Sequence, residues 1–435
     1  MALALNSPAL APLEDREFRL LLVGFAIGQM LMPLQFFTQI LWVQESAPRD
    51  IWLILVALIG AARGVGSLLF GLYGGALADR FDRRKLLIAT QVLLVISTFT
   101  IGGLMLTGIK GPLGFAVFYA LTFLAAGLQA IDAPTRLAIV PDVLGPDRVS
   151  AGMALNQAAG QLAMPMALFG MGFFVTTLGF GGAYLFSAVG HVIAIGCLTL
   201  MHYTPATTQH QDAGTPYRFG KALDDVRDGM RYARAHPEVL WVILLLVAMM
   251  ALGFPATANL GPTWITTVIG VSVANVGFVA MNWGFGAFFG AVLMARFASY
   301  EKRGRLIAFG AALFAVSFVV FVARPLVPFA VIGNFGLGAG MTIAMVSSTV
   351  LIQHVVPNQV RGRIMSLVQL NMGCAQLMTL PVAMIGQWLP LTTLFPAMSL
   401  ITLAAIASIL VFRPQIRRAV IVAPTIARTD SRAGA

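Results

Sequence analysis

Charge is scarce in this sequence. Only 10% of its residues are Asp, Glu, Lys or Arg, where a soluble globular chain carries about 25%. With 58% hydrophobic residues and a mean hydropathy of +0.86, it cannot clothe a water-facing surface. Cysteine is nearly absent. Cys197 and Cys374 lie far apart, each inside an apolar run, and read as packing residues rather than a disulfide or a metal pair. Histidine is scarce as well, and His191, His202, His210, His236 and His354 show no metal-ligand spacing. No glycine-rich loop ends in Gly-Lys-Ser/Thr, which argues against direct use of ATP, and no acid, base and nucleophile set suggests an enzyme. No cofactor or metal is therefore expected. The first seventeen residues lack a basic n-region and contain Glu14, Asp15 and Glu17, unlike a cleavable signal peptide.

Long apolar runs fill the space that charge leaves. At about 20 residues per membrane crossing, twelve spans can be placed. They are 18–43, 51–73, 86–107, 112–139, 151–176, 181–202, 238–258, 273–295, 306–323, 327–352, 364–386 and 391–412. The chain thus divides into an N-terminus (1–17), a first six-span unit (18–202), a linker (203–237), a second six-span unit (238–412) and a tail (413–435). The fold class expected is an all-α membrane protein of twelve transmembrane helices. Of the 28 Lys and Arg, 24 belong to the termini and even-numbered connections, counting those within a turn of a span end. Arg49, Lys110 and Arg324 mark the opposite side, and Arg63 lies well inside a span. This positive-inside bias places both termini in the cytoplasm of a bacterial inner membrane, and it accounts for the net charge of +11 without nucleic acid.

The two units repeat. Gly74 to Phe81 reads GGALADRF and Gly290 to Phe297 reads GAVLMARF, 216 residues later; Pro141-Asp142 is answered by Pro357-Asn358 at the same offset. Parallel repeats of six spans are the arrangement expected when a substrate site lies between them. In the linker, Phe219, Leu223, Val226, Met230 and Ala233 share one helix face, with Asp224, Asp225 and Asp228 early and Arg231 and Arg234 late. Such a helix is expected either on the inner membrane surface or as a solvated linker.

The connection GGALADRFDRRK (Gly74 to Lys85) carries the family signal. Gly74 and Gly75 let two helices approach closely. Asp79 sits among Arg80, Arg83, Arg84 and Lys85, which cannot cross hydrocarbon. The stretch resembles the loop 2–3 signature of the major facilitator superfamily, G-x-x-x-D-R-x-x-R-[RK]-[RK]. Pro134-Thr135-Arg136, Val140-Pro141-Asp142 and Ala154-Leu155-Asn156 resemble the enterobactin-exporter-like branch, as do Val356-Pro357-Asn358 and Arg361-Gly362-Arg363. The resemblance implies two six-helix bundles around a central cavity, alternating access, and usually proton-driven export. That branch typically carries an Arg before Gly-Pro in span five, where this sequence runs from Gln161 to Met164-Pro165. Coupling ion and substrate are thereby left open.

Charges within spans are costly and so are functional candidates. Gln129, Asp132 and Arg136 share one face of span four. Asp132 either pairs with Arg136 or binds the coupling proton or a cationic substrate. Arg63 either holds a substrate anion, pairs with Asp132, or packs and snorkels. His191 reads as a hydrogen-bonded core residue rather than a proton relay. Gln35, Gln39, Asn156, Gln157, Gln161, Asn282, Trp283, Asn334, Gln369 and Asn371 are candidate cavity residues, or else helix–helix contacts. Asp79 is expected to latch the halves through Arg136 or the helix start after Arg361 and Arg363. The sequence thus points to a monomeric carrier in the bilayer that moves a small or medium amphipathic molecule outward in exchange for protons. Uptake or facilitated diffusion of a metabolite, a non-transporting sensor or scaffold, and a membrane-embedded enzyme are the rivals, the last the weakest.

Reporter fusions test the charge asymmetry. Fusions after Gln209 and Ser431 should read cytoplasmic and one at Lys110 periplasmic; a periplasmic signal at Gln209 would overturn the twelve-span topology.

Overall fold

A backbone in hydrocarbon must satisfy its own amides, and helices do so within one segment. In the computed structural model, residues 10–108, 111–202, 219–297 and 300–418 are described, without the side chains of 72–76, 78–80, 219–223, 225, 358, 359, 366, 369, 417 and 418. Among the described residues there are helices and turns and no strand. Arg16–Ser46, Trp52–Arg80 and Arg83–Thr107 are the first three spans. An unbroken helical trace then runs from Pro112 to Leu200, 89 residues. At 1.5 Å per residue that is about 130 Å, several times the ~30 Å of a bilayer core. Two glycines resolve the excess. Gly145 and Gly179 both take φ 69° with extended ψ, a conformation that reverses the chain and that a side chain would resist. Spans four, five and six are therefore 112–144, 146–178 and 180–200.

These breaks correct the sequence-based boundaries. The connection expected over 140–150 narrows to Gly145, because Pro146 takes the first helical position immediately after it. Span seven also outruns its expected end at 258. It begins as Pro237–Ala248 and continues through π turns Met249–Gly253 and Pro255–Asn259, a short turn Gly261–Thr263 and a π turn Trp264–Val268. Pro255 and Pro262 lack an N–H, and the wide turns absorb the misfit. Val273–Arg296, Arg303–Ala323 and Val327–Val355 form spans eight to ten. Asn358–Leu377 with Thr379–Ile385 makes span eleven and Leu391–Phe412 span twelve.

The 216-residue repeat is visible in helix ends: span two stops at Arg80 and span eight at Arg296, span three at Thr107 and span nine at Ala323. It lapses at the next signature. Pro357 caps span eleven, whereas Pro141 stays inside the helix that runs on to the Gly145 break. The linker helix Phe219–Ala235 lies on protein: Gly229 abuts the Arg363 carbonyl, Ala233 is fully buried, and Arg363 binds Asp228 at 3.2 Å. The polar stretch before Tyr217 and the tail beyond Arg418 lie outside the described residues.

The two halves touch at one end. Spans five and eight meet where Gly172 faces the Ala274 carbonyl and Gly277 the Leu168 carbonyl, too close for a Cβ on either glycine. Spans two and eleven meet at Gly60, Gly64 and Gly373, and Leu53 reaches Gly386. Gln44 of span one donates to Thr266 of span seven at 2.9 Å. All of these pairs lie midway along the spans or toward the end away from the Arg-rich connections. At the Arg-rich end a separate cluster (Phe18, Leu21, Leu87, Ile139, Val140, Leu144, Leu198 and Met201) belongs to the first half alone. Among the described residues the halves are closed at one face and parted at the other.

Gly277→Leu should wedge that closed face apart, at a cost of about 1–3 kcal/mol. In a variant lacking Cys197 and Cys374, a cysteine at Thr266 should then be labelled faster by an impermeant maleimide. Unchanged labelling would show that the glycine contact does not hold the face shut.

Candidate functional site

The parted face leads to a cavity of about 490 Å³ between the halves. Span one contributes Phe25, Gln29, Met32 and Phe36; span two Arg63; span five Gln157, Gln161 and Met164. From the second half come Thr257 and Asn259, Trp283, Asn334 with Met341 and Met345, and Met372 with Gln376. Flexible Met and Phe walls with a few amides suit amphipathic molecules of varied shape. A second recess shares Gln157 and Gln161 with it and continues toward the Arg-rich end past Met294, Tyr300, Glu301, Arg303 and His354.

Of the sequence-based cavity candidates, Arg63, Gln157, Gln161, Trp283 and Asn334 line the chamber. Trp283 stands edge-on to Phe254 at 6.0 Å, and Asn334 donates to the Val279 carbonyl at 3.3 Å. Gln35 and Gln39 do not reach the chamber. They are buried in the first half, Gln35 donating to Ser187 at 2.8 Å and Gln39 to the Tyr184 hydroxyl at 2.8 Å. Asn156 is buried, Asn282 donates back to the Phe278 carbonyl of its own helix at 2.7 Å, and neither lines the chamber. Asn371 is buried too and does not line the chamber. Gln129 does not line the chamber but accepts from Arg63, which does. The side chain of Gln369 lies outside the described residues. Asn259 and Gln376 escaped the sequence reading; a lone amide in an apolar run was the only signal they gave.

Arg63 does not pair with Asp132. It is 5% exposed, its guanidinium stands over the Phe36 ring at 5.1 Å, and Nη2 donates to Gln129 Oε1 at 3.5 Å. Asp132 instead receives Arg136 Nε at 3.1 Å and Nη2 at 3.2 Å, the pairing one turn along the helix. Gln91 Nε2 adds a bond to Asp132 at 2.8 Å, which leaves Gln91 Oε1 to accept from His191 Nδ1 at 2.8 Å. His191 Nε2 then faces Gln35 Nε2 at 3.4 Å. Spans one, three, four and six are joined by this single buried chain, with Gln91 the member that sequence reasoning passed over.

The opening signature is visible in part. The side chains of Gly74, Gly75, Asp79 and Arg80 lie outside the described residues. Asp82 caps span three by accepting from Lys85 N at 3.0 Å. Arg83 binds Asp142 at 2.9 Å and the Ala138 carbonyl at 3.0 Å, and Arg84 donates to the carbonyls of Leu198 and Thr199, each at 2.7 Å. The connection thus ties span three to the ends of spans four and six. The expected latch partners have other contacts in this conformation. Arg136 holds Asp132, Arg361 donates to the Val356 carbonyl at 3.2 Å, and Arg363 binds Asp228.

Known proteins share this build. The sequence model of the Major Facilitator Superfamily matches residues 21–381. Enterobactin exporter EntS of Shigella boydii serotype 18 is 24% identical over 319 residues, covering 71% of this chain and 70% of that protein. BacE of Bacillus subtilis strain 168, named for bacilysin export, is 22% identical over 306 residues, 70% of this chain and 73% of the relative. The D-xylose–proton symporter superposes with a TM-score of 0.70 at 15% identity over 91% of this chain and 97% of its own. A peptide transporter of the POT type reaches 0.72 at 16% identity over 93% and 96%.

Removing one member of a buried ion pair strands the other, at a cost on the order of 3 kcal/mol. Asp132→Asn should therefore lower the melting temperature in detergent, and adding Arg136→Met should recover most of the loss. Equal stability of Asp132→Asn and the native protein would mean that the pair is not structural.

Proposed function

The chain belongs to the Major Facilitator Superfamily, whose members are membrane transporters rather than enzymes, and on that premise we propose that it exports small or medium amphipathic molecules by alternating access in exchange for protons. The amphipathic cavity between two six-span repeats carries this reading. Export rather than uptake is favoured by the similarity to EntS and BacE, both named for export. The excess of Lys and Arg supports cytoplasmic termini, so the parted face opens inward and the protein stands ready to load from the cytoplasm. Units 18–202 and 238–412 rock about the cavity, the linker helix riding on span eleven. No second copy of the chain is needed to complete the cavity, and the protein works as a monomer.

Two first-half features bear on coupling and switching. Asp132 is the carboxylate set well inside a span, and protonating it would release Arg136 and loosen the chain through Gln91 to His191. Asp79 latches the inner face once the halves close there, which frees it from substrate contact and makes it a determinant of turnover. Its second-half counterpart is Ala295, so no symmetric latch compensates.

Cells with and without the protein, loaded with a panel of dyes, drugs and siderophores, test the reading. Lower accumulation that an uncoupler abolishes supports it; equal accumulation across the panel refutes export. In the same assay Asp132→Asn should lose uncoupler-sensitive export while remaining inserted, and Asp79→Asn should slow turnover several-fold with inner-side affinity near native. Normal uncoupler-sensitive export by Asp132→Asn would return that residue to a purely structural role.

A further inference from the structure

Among the described residues no carboxylate stands beside Arg63. It stands among Gly60 and Gly64 where span two crosses span eleven, and it lines the cavity. The described groups around it are the face of Phe36, Gln129 at 3.5 Å and the Tyr184 phenol, none of them a carboxylate. Among the described residues no Asp or Glu lines the main cavity. Asp132 is committed to Arg136 and Gln91, and Glu301 lies in the outer recess. At 5% exposure the guanidinium is also too deep to borrow its counter-charge from lipid headgroups. Ionic groups held away from water are expensive unless paired. Nearby, Gln376 Oε1 is buried without a hydrogen-bond partner and belongs to the same cavity wall.

Resting on the transporter reading above, we propose that the cavity selects organic anions: an acidic group (carboxylate, sulfonate or acidic phenol) docks on Arg63 while an apolar body lies against Phe36, Met164 and Trp283. The planar guanidinium suits such groups because it presents several N–H donors in a fixed fork. The aromatic face beneath it fixes the fork's direction without neutralising it. Walls of Met and Phe exclude a small hydrated inorganic ion as the natural occupant, since they offer it no replacement for its water. A cationic amphiphile is disfavoured twice, by the missing carboxylate and by repulsion from Arg63.

Two dyes that share an anilinonaphthalene body separate charge from apolar contact. They are 8-anilino-1-naphthalenesulfonate, an anion, and N-phenyl-1-naphthylamine, which is neutral. Binding to the full chain in phosphatidylcholine nanodiscs is read by energy transfer from tryptophan, with empty nanodiscs subtracted. The native protein should bind the sulfonate at least tenfold more tightly than the amine. Arg63→Gln should weaken sulfonate binding about tenfold to a hundredfold, the range for losing a hydrogen bond to a charged group, and leave the amine within twofold. Arg63→Lys should keep most of the preference, which guards against a misfolded Arg63→Gln. Equal binding of the two dyes by the native protein, no binding of either, or an unchanged preference in Arg63→Gln each overturns the proposal. So does full displacement of the sulfonate by 150 mM chloride, which would make an inorganic ion the partner of Arg63. Efflux from proteoliposomes is a separate reading. An Arg63-dependent preference without efflux leaves the anion site standing and sinks the exporter reading; efflux of the neutral dye with no preference does the reverse.

Discussion

Hydrocarbon cannot hydrate a charge, and the placement of nearly every ionic group in this protein follows from that. The cations are driven to helix ends, where Arg83 and Arg84 find carboxylate and carbonyl oxygens on spans four and six. The same solvent makes glycine useful. With no hydrophobic effect between helices, close backbone approach supplies the attraction. The halves meet on such contacts, Gly172 and Gly277 at one seam and Gly60, Gly64 and Gly373 at the other.

Polar chemistry is distributed unevenly between the repeats. The first half holds the buried chain from Asp132 through Gln91 and His191 to Gln35, together with Arg63. In the second half the buried polar side chains are mostly neutral, such as Asn259 donating to Thr379 at 2.5 Å, and its aromatic core packs around Phe314, Phe318 and Phe321. One repeat is thus wired and the other is a wall with softened turns in span seven, where Pro255 and Pro262 interrupt the backbone ladder. Among the described residues polar bonds across the closed face are sparse, Gln44 to Thr266 being one, so apolar and glycine contacts hold it. A seam of that kind can open without breaking any ion pair described across it.

Much of this was legible in the sequence because membrane solvent imposes its rules locally. Span count, the basic bias of alternate connections, the 216-residue repeat and the linker helix from Phe219 all rest on residue type and spacing, which the bilayer reads one segment at a time. The choice between two fates for Asp132 and three for Arg63 was not local. Spacing allowed Asp132 to meet Arg136, but only the packing of span two against span four placed Arg63 out of its reach, on Phe36 and Gln129. Gln35 and Gln157 look equally polar in sequence, yet rotation of spans one and five turns the first into the bundle and the second toward the cavity. Likewise Gly145 and Gly179 give no sign that a reversal needs a single residue, because their left-handed φ depends on where the helices on either side must lie. Composition and periodicity determined that the chain is a twelve-span repeat; which face each polar side chain presents, and which end of the molecule is shut, were decided by helix packing, since burial and charge pairing are properties of neighbours distant in sequence.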